Sequence, residues 1–404
     1  MDVTFIANDT RGGIEPYVAL AAAVVARGHV ARAVAPGQYE NDFVSVGARF
    51  APLAGVEQAQ MTAHGGTPSL REMGRRVREL TGGWALDARA FAEGTDLVIS
   101  GIGGLGVARP VAEAVGAGLL RAHLQPLDAP SASYPGPLAS KLTALGPFGN
   151  RLSHRITEAG LRVLVGEPER AARRALGLGT RPAPLIPCII YGFSPEVVPV
   201  ASDAAATRIA TGYWTSVNRA EVAAKLRAFV EQPGPVVSVG FGSMSSGDAR
   251  DLYRVVTEAV RRVGVRAVIL TGWGAMQPDG ANDPTVCAAG SVPYAWLFPR
   301  MAATVHHGGA GTTGAALMAG KPTVIVPFGA DQPFWGLRAH QLGVAPAPIP
   351  RGRLSADRLA RALERTLADE GLKDRARALG ARLRQEEGVR AAVDVIEASG
   401  AAGA

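Results

Sequence analysis

Cysteine and metal-binding patterns are nearly absent from this sequence. The 404 residues include only two cysteines, Cys188 and Cys287, which are far apart and make neither a disulfide framework nor a metal-ligand cluster. No Asp-x-Asp motif occurs, and no His/Cys group has ligand spacing. We therefore expect a reducing compartment, no essential metal and no other bound cofactor.

Long apolar runs and basic blocks are also missing. The start, MDVTFIA, lacks the basic segment of a signal peptide, and the apolar run Tyr17–Ala26 is far too short to span a bilayer. Lysine and arginine outnumber aspartate and glutamate by 42 to 35, but the arginines are scattered. This distribution favours anionic small molecules over nucleic acid as partners. We expect a soluble, cytoplasmic protein without a transmembrane segment, either a monomer or a homodimer.

The order of strands and helices predicts two similar halves. A strand from Asp2, a glycine-containing loop, a helix from Pro16 to about Arg27 and the strand HVARAVA form one βαβ unit. A second unit begins with the strand VVSVGF after Pro235 and continues through a Gly/Ser loop and a helix to the strand RAVILTG. With 47% hydrophobic residues, the chain can bury two cores. The predicted fold class is α/β, with two doubly wound parallel sheets.

The segment VHHGGAGTT, from Val305 to Thr313, has the parts that a diphosphate needs. The apolar run before it predicts the end of a strand, its glycines let backbone amides approach an anion, and its threonines can cap the following helix. A glycine-rich turn alone is weak evidence, because structural turns use the same residues. The next loop, after the strand PTVIVPF, places Asp331 beside Gln332, which can bond sugar hydroxyls.

Several segments together resemble a known family. VGFGSM, LTGWG, VPYAWLFPRMAATVHHGGAGTTGAALMAG, PFGADQPFWGLRAHQLGVAPAPIP and YGFSPEVVP are similar to inverting GT-B glycosyltransferases that use UDP- or dTDP-sugars. The resemblance is greatest to sterol glucosyltransferases and antibiotic-tailoring enzymes. It implies two Rossmann-like domains facing each other across a cleft. The expected partners are a nucleotide sugar and a lipophilic small-molecule acceptor.

The resemblance also assigns the parts of the chain. It implies an N-terminal acceptor-binding domain over residues 1–200, a linker over 201–215 and a C-terminal nucleotide-sugar-binding domain over 216–387. A terminal helix over 388–404 is expected to cross back to the N-terminal domain. A third region, 58–93, carries the helix LREMGRRVREL and the tips HGGT and TGGW; it is either an acceptor-side lid or a solvated basic helix.

The donor contacts implied by the resemblance centre on His307, whose imidazole is expected to hydrogen-bond the diphosphate. His306 either joins it or orients the turn. Trp273 either presents its face to the base or packs internally. The remaining implied contacts are Arg11, Gly242, Ser243, Ser291, Val292, Gly308, Gly309, Gly311, Thr312, Thr313, Asp331 and Gln332. Because plant relatives place a glutamate where this chain has Ala315, the choice between UDP and dTDP stays open.

The catalytic base is missing from its usual place. The family puts an Asp or His at the position of Gly13, and plant members add an Asp near Gly101. Three explanations are open. The base is Asp9, His123 or Asp128 instead, or the acceptor is acidic enough to need little base catalysis. In the third, catalysis has been lost and the protein is a nucleotide-sugar-binding partner of another enzyme. Asp9 ranks first, although an Asx-turn would also explain it.

The acceptor is expected to meet an apolar wall. The loop Leu124–Gly149 mixes Pro and Gly with apolar residues and carries Tyr134 and Phe148, the two expected acceptor contacts. Resemblance implies a polyketide, macrolide, sterol or aromatic natural product. A nucleotide-sugar epimerase of the same fold is the alternative enzyme class, and the apolar loop weighs against it.

Overall fold

The chain forms two compact units. The computed structural model describes residues 1–54, 70–181, 188–200, 208–215, 221–242, 249–272, 275–278, 280 and 283–401. One unit comprises Met1–Ser216 together with Glu387–Ala404, and the other comprises Val217–Glu386. Each unit contains one parallel sheet with helices, as the alternating sequence pattern predicted.

The first unit is built on a seven-stranded sheet in the order β3-β2-β1-β4-β5-β6-β7. Its strands are β1 Asp2–Ile6, β2 Val30–Pro36, β3 Arg49–Leu53, β4 Leu97–Ser100, β5 Gly118–His123, β6 Cys188–Tyr191 and β7 Arg208–Ala210. Its helices begin with α1 Arg11–Ala26, α2 Glu40–Val44, α3 Leu70–Phe91, α4 Leu105–Val115 and α5 Gly146–Ala175, with 3-10 helices at Gly37–Tyr39 and Pro137–Leu145. Strands β1 and β4 at the centre are buried over almost their whole length because helices cover both faces of a parallel sheet.

Helix α1 begins five residues before the predicted start at Pro16. The amides of Gly13 and Ile14 both donate to the carbonyl oxygen of Thr10, which closes a first turn that includes Gly12. Neither glycine has a positive φ, so they form helix rather than the predicted loop. Pro16 lies inside the helix.

Two other sequence predictions are wrong in this unit. The predicted tip TGGW lies within α3, where Trp84 is buried and its indole N–H donates to the carbonyl oxygen of Ala54 at 2.7 Å. The range 201–215, predicted as a linker, contributes β7, which pairs with β6, and the buried Trp214. Burial against the sheet, which composition does not encode, decides both cases. The predicted tip HGGT lies outside the described residues.

The second unit is built on a five-stranded sheet in the order β10-β9-β8-β11-β12. Its strands are β8 Val236–Gly240, β9 Arg266–Leu270, β10 Val286–Ala289, β11 Ala303–His306 and β12 Thr323–Ile325. Its helices are α6 Ala224–Val230, α7 Ala249–Val263, α8 Tyr294–Leu297, α9 Ala310–Met318, α10 Gln332–Gln341, α11 Ala356–Ala368 and α12 Glu370–Leu383, with 3-10 helices at Phe298–Arg300 and Arg351–Arg353. One face packs on α7 and α11, which present apolar side chains at helical spacing.

The last helix, α13 Gly388–Ala401, belongs to the first unit. It packs on α1 and on the edges of β5 and β6. Arg27 at the end of α1 donates to Asp394 at 2.7 Å and to Glu397 at 2.9 Å. The buried side of α13 includes Ala392, Val393 and Ile396. None of the described helices combines the length and apolar character needed to cross a bilayer.

We predict that α13 stabilises the first unit through its apolar side and not through its surface ion pairs. Ile396→Ala should lower the free energy of unfolding by about 2 to 5 kcal/mol, because it leaves a cavity at a fully buried site. Ile156→Ala, at a side chain 45% exposed, is the matched control and should cost less than about 1 kcal/mol. Equal losses in urea denaturation would contradict this account.

Candidate functional site

The site in the second unit lies at the point where the sheet reverses its winding. Strands β8 and β11 are neighbours, and the chain reaches β9 and β10 on one side and β12 on the other. Loops after the carboxyl ends of such strands diverge and leave a crevice, where ligands bind in open α/β sheets. Gly242 follows β8 here, and His307 follows β11.

The imidazole of His307 fills the space between two glycine backbones. A β-carbon on Gly242 would lie 3.1 Å from its Cε1 atom, and one on Gly309 would lie 2.6 Å from its Nε2 atom. Burial lowers the pKa of His307 to about 4, so the ring is neutral near pH 7. Its Nδ1 atom is buried and has no hydrogen-bond partner within the described part of the chain. A buried polar atom of this kind is expected to be satisfied by a ligand.

Helix α9 points its N-terminus at the same crevice. Its first turn contains Gly311, and Gly309 is the N-cap, with no side-chain capping bond. The prediction that the threonines cap this helix is wrong, because the helix begins at Ala310 and encloses Thr312 and Thr313. The hydroxyl of Thr313 is buried and finds no partner in the described ranges. Uncapped amides, the helix dipole and this hydroxyl together can receive an anion.

His306 orients the turn. The amide of Gly308 donates to its Nδ1 atom at 3.1 Å, so the neutral ring carries its proton on Nε2, which lies 2.7 Å from Thr323 Oγ1. Thr323 in turn donates to the carbonyl oxygen of Thr304. Burial, with a contribution from His307, lowers the pKa of His306 to about 3. Both ring nitrogens are thus engaged inside the unit, which favours the orienting role over a ligand contact. No sequence pattern indicated the role of Thr323.

The neighbouring loop holds Asp331 and Gln332 in fixed positions. Gln332 is buried, and its Oε1 atom accepts from the amides of Phe328 at 2.7 Å and Gly329 at 3.2 Å. Its NH2 group is therefore the end that can donate to a ligand. Asp331 Oδ2 accepts from the indole of Trp335 at 2.9 Å, an i,i+4 contact that the sequence spacing would have allowed us to predict.

The two loops touch through Gly308. A β-carbon on Gly308 would lie 2.7 Å from Ile325 Cγ2 and 3.1 Å from the carbonyl oxygen of Gln332. Its φ of +89° also favours glycine. Ala330, before Asp331, has φ of +52°, a strained value for alanine that clusters at functional sites. The anion crevice and the Asp331–Gln332 pair are therefore adjacent parts of one site.

The other predicted donor contacts lie in different places. Ser291, which is exposed, and Val292 follow β10, at the same carboxyl edge of the sheet. Ser243 and Trp273 lie outside the described residues. Arg11 opens α1 in the first unit, where it pairs with Glu15 at 3.4 Å and Asp42 at 3.7 Å.

In the first unit, Asp9 stands where the usual base is missing. The carboxyl end of β1 leads to Asp9, an exposed residue whose Oδ1 atom accepts from the amide of Thr10 at 2.6 Å. A β-carbon built on Gly13 would overlap the Cγ atom and an oxygen of the Asp9 carboxylate. The carboxylate thus occupies the volume that a side chain at position 13 would take. This bond reaches the next residue, whereas the bond of the predicted Asx-turn would reach the residue two positions on.

A tyrosine fills the second missing position. A β-carbon on Gly101, after β4, would overlap the hydroxyl of Tyr17. Tyr17 lies one helical turn after Gly13 on α1, and its hydroxyl donates to the carbonyl oxygen of Ala122 at 2.6 Å. Burial, and then the charge of Asp9, raises the pKa of Tyr17, so the phenol stays protonated. Sequence reasoning missed this residue.

His123 and Asp128 form a pair at the end of β5. The Nε2 atom of His123 lies 3.4 Å from Asp128 Oδ2, which also accepts from Arg121 at 3.1 Å. Burial alone would raise the pKa of Asp128, but His123 and Arg121 outweigh it and hold the pKa below its usual value. Because β1, β4 and β5 are neighbours, this pair shares the sheet edge with Asp9. The charge of Asp128 is already balanced, which makes it a weak proton acceptor.

The two expected acceptor contacts differ in burial. Tyr134 is buried, its hydroxyl donates to the carbonyl oxygen of Ala129 at 3.0 Å and its ring meets His154 edge-on. It therefore shapes the loop rather than lining a pocket, which corrects the sequence prediction. Phe148, near the start of α5, is 70% exposed.

Across the described ranges, no group of three or more His, Cys, Asp or Glu side chains is placed to hold a metal. Metal independence stays a prediction.

We predict that acid destabilises the second unit through its two histidines. Their pKa values of about 3 and 4 lie below the ordinary 6.5. Between these values the two histidines are protonated in the unfolded chain and neutral in the folded unit. The free energy of unfolding should fall as pH drops from about 6.5 towards 4, by on the order of 1 kcal/mol per pH unit for each histidine. His307→Gln should lose less stability than the unsubstituted protein in denaturant titrations over this range. The same pH dependence in both proteins would contradict the assignment.

Comparisons with known proteins address the fold and the family of the chain. Residues 257–391 match the erythromycin biosynthesis protein CIII-like C-terminal domain family. A sterol 3-beta-glucosyltransferase of Cryptococcus neoformans is 30% identical over 437 residues, which cover 98% of this chain and 27% of the relative. One from Arabidopsis thaliana is 30% identical over 418 residues, covering 97% of this chain and 64% of the relative. The chain spans less than two thirds of the length of either relative.

Solved structures share the fold over almost the whole chain. The glycosyltransferase SnogD from Streptomyces nogalater superposes with a TM-score of 0.70 at 20% identity, covering 99% of both chains. SsfS6 from Streptomyces sp. SF2575, solved with thymidine diphosphate, has a TM-score of 0.63 at 20% identity and covers 98% of this chain and 99% of its own. The resemblance drawn from the sequence motifs is confirmed. The chain has the GT-B fold, is similar over almost its whole length to sterol 3-beta-glucosyltransferases, and in residues 257–391 matches the erythromycin biosynthesis protein CIII-like C-terminal domain family.

Proposed function

We propose that this chain is an inverting glycosyltransferase that moves a sugar from a UDP- or dTDP-sugar to a lipophilic small molecule. The observation that carries the proposal is the adjacency of the anion crevice around His307 to the fixed pair Asp331 and Gln332. A diphosphate and a sugar are joined in that order in the donor. The glycosyltransferase relatives and the GT-B fold support the same reading.

In the proposed reaction, the acceptor oxygen attacks the anomeric carbon from the face opposite the diphosphate. The bond between that carbon and the diphosphate oxygen breaks, and its electron pair leaves with the diphosphate. Negative charge therefore grows on the diphosphate as the bond breaks. The amides at the start of α9, the neutral His307 ring and the Thr313 hydroxyl stabilise it there, and they require no metal ligands from the chain.

The acceptor proton passes to Asp9 in this proposal. Its carboxylate lies in the volume of a residue-13 side chain, which is where the resemblance puts the base. His123 and Asp128 are the competing candidates. His123 is only 1% exposed, and Asp128 is paired with Arg121, so neither is as accessible to an acceptor hydroxyl as the exposed Asp9.

Product analysis tests the proposed function directly. The protein is incubated with UDP- and dTDP-sugars, each with and without sterol, macrolide and phenolic acceptors, and products are identified by mass spectrometry. Glycosylated acceptor is the expected product. Isomerised donor without acceptor would support the epimerase alternative, and donor binding without any product would support a binding partner.

We predict that Gln332 senses the sugar rather than the diphosphate. Gln332→Glu keeps an oxygen for the amides of Phe328 and Gly329 but loses the NH2 donor. Affinity for the nucleotide sugar should fall by about 1 to 3 kcal/mol more than affinity for free UDP or dTDP, because the free nucleotide experiences only the added negative charge and loses no sugar contact. His307→Ala is the control and should weaken both ligands in calorimetry. Equal weakening by Gln332→Glu would contradict its role.

We predict that the carboxylate of Asp9 can be moved back to position 13. Asp9→Asn should keep donor affinity while lowering kcat by about a hundredfold or more, the usual contribution of a general base. Gly13→Asp alone should also impair turnover, because the new side chain overlaps Asp9. The exchange Asp9→Gly with Gly13→Asp should recover much of the activity, because α1 holds residue 13 without a positive φ.

The exchange separates a catalytic carboxylate from a turn residue. A loss of less than a few-fold in Asp9→Asn would make Asp9 structural, and His123→Asn would then be the next variant to measure. A rate that follows the pKa of each acceptor, whatever stands at position 9, would show that the acceptor needs no protein base.

A further inference from the structure

The surface of the first unit is unusually apolar in one place. Nine large hydrophobic side chains are exposed among the described residues, and six of them fall between positions 138 and 164. They are Leu138, Leu145, Phe148, Ile156, Val163 and Leu164, on the 3-10 helix Pro137–Leu145 and the first two thirds of α5. Exposed apolar side chains scattered singly need no explanation, but a contiguous group indicates an interaction site.

Over this stretch, helix α5 buries polar side chains and exposes apolar ones. Its buried positions are small or polar: Gly149, Asn150, Ser153, His154 and Thr157. Its exposed positions include Phe148 at 70% and Val163 at 75%. A helix on a water-facing surface normally shows the opposite pattern. The outer face of α5 is therefore suited to an apolar environment.

Two rows of side chains run along that outer face. Phe148, Ile156 and Val163 are spaced by eight and seven residues, close to two turns each, so they form one apolar row about 22 Å long. The exposed Arg151, Arg155 and Arg162 form a second row beside it. Between positions 138 and 164 the chain carries four basic residues and one acidic residue, Glu158.

We propose that this face, residues 138–164, docks on the surface of a membrane containing anionic lipids. The apolar row enters the boundary between headgroups and acyl chains, while the arginine row stays at the level of the lipid phosphates. A second copy of the chain is a poorer occupant, because a two-fold contact would oppose surfaces with the same excess of positive charge. If the proposed transferase function holds, this docking would bring the enzyme to lipophilic acceptors dissolved in the bilayer.

Vesicle binding of the full chain tests the proposal without reference to activity. The probes are vesicles of phosphatidylcholine alone and of phosphatidylcholine with about a third phosphatidylglycerol. The protein should sediment with the anionic vesicles, and raising NaCl from about 0.1 M to about 0.5 M should weaken that binding. Two double variants should each lower the partition coefficient at least tenfold. One is Phe148→Ser with Val163→Ser, and the other is Arg151→Glu with Arg155→Glu.

The matched control is Val44→Ser with Leu86→Ser, two exposed apolar side chains elsewhere in the first unit. It should bind vesicles like the unsubstituted protein, and circular dichroism checks that every variant is folded. Absent binding to anionic vesicles, or equal losses in the control and in Phe148→Ser with Val163→Ser, would overturn the proposal. The protein could instead fail to bind vesicles and form a dimer in light scattering that Phe148→Ser with Val163→Ser abolishes. That result would assign the face to a second copy of the chain.

Discussion

Close approach of backbones at the carboxyl edges of two parallel sheets is the constraint on which this structure depends. In the second unit the His307 ring fills the space beside Gly242 and Gly309. In the first unit Gly13 leaves room for the Asp9 carboxylate, as Gly101 does for the Tyr17 hydroxyl. A β-carbon on Gly309, Gly13 or Gly101 would overlap the neighbouring side chain, and one on Gly242 would press tightly against the His307 ring.

The anion crevice is built from neutral groups. Burial keeps the His307 ring uncharged, and the His306 relay to Thr323 fixes the Gly308 turn without placing any charge in the interior. An uncharged crevice avoids the high cost of burying an unpaired ion before the ligand arrives. In the proposed reaction, stabilisation of charge would then fall to the α9 amides and the helix dipole, which need no reorganisation as charge moves onto a diphosphate.

In the first unit the Asp9 carboxylate occupies the space beside Gly13, and helix α5 exposes apolar side chains on its outer face. Asp9 reaches the volume of residue 13 because α1 begins early, at Arg11, and turns the two glycines into its first helical turn. Helix α5 buries polar side chains that tie the preceding loop together, such as Ser153 and Asn150, and this turns its apolar side chains outward. Internal hydrogen bonding and an apolar exterior thus have one structural cause.

The sequence alone predicts the two α/β units, the glycine-rich turn at His307 and the loop with Asp331 and Gln332, because hydrophobic period and glycine spacing are local signals. Three predictions made from it differ from the structure: TGGW as a loop tip, the threonines as caps of α9, and Tyr134 as an acceptor contact. Burial of Trp84 and Tyr134 depends on contacts made by the folded chain, since Trp84 bonds Ala54 and the Tyr134 ring packs on His154, each twenty or more residues away. The placement of Tyr17 over Gly101 was likewise beyond the sequence, because it depends on how α1 packs against strands β4 and β5. Asp9 covers Gly13 for a local reason, the early start of α1 at Arg11.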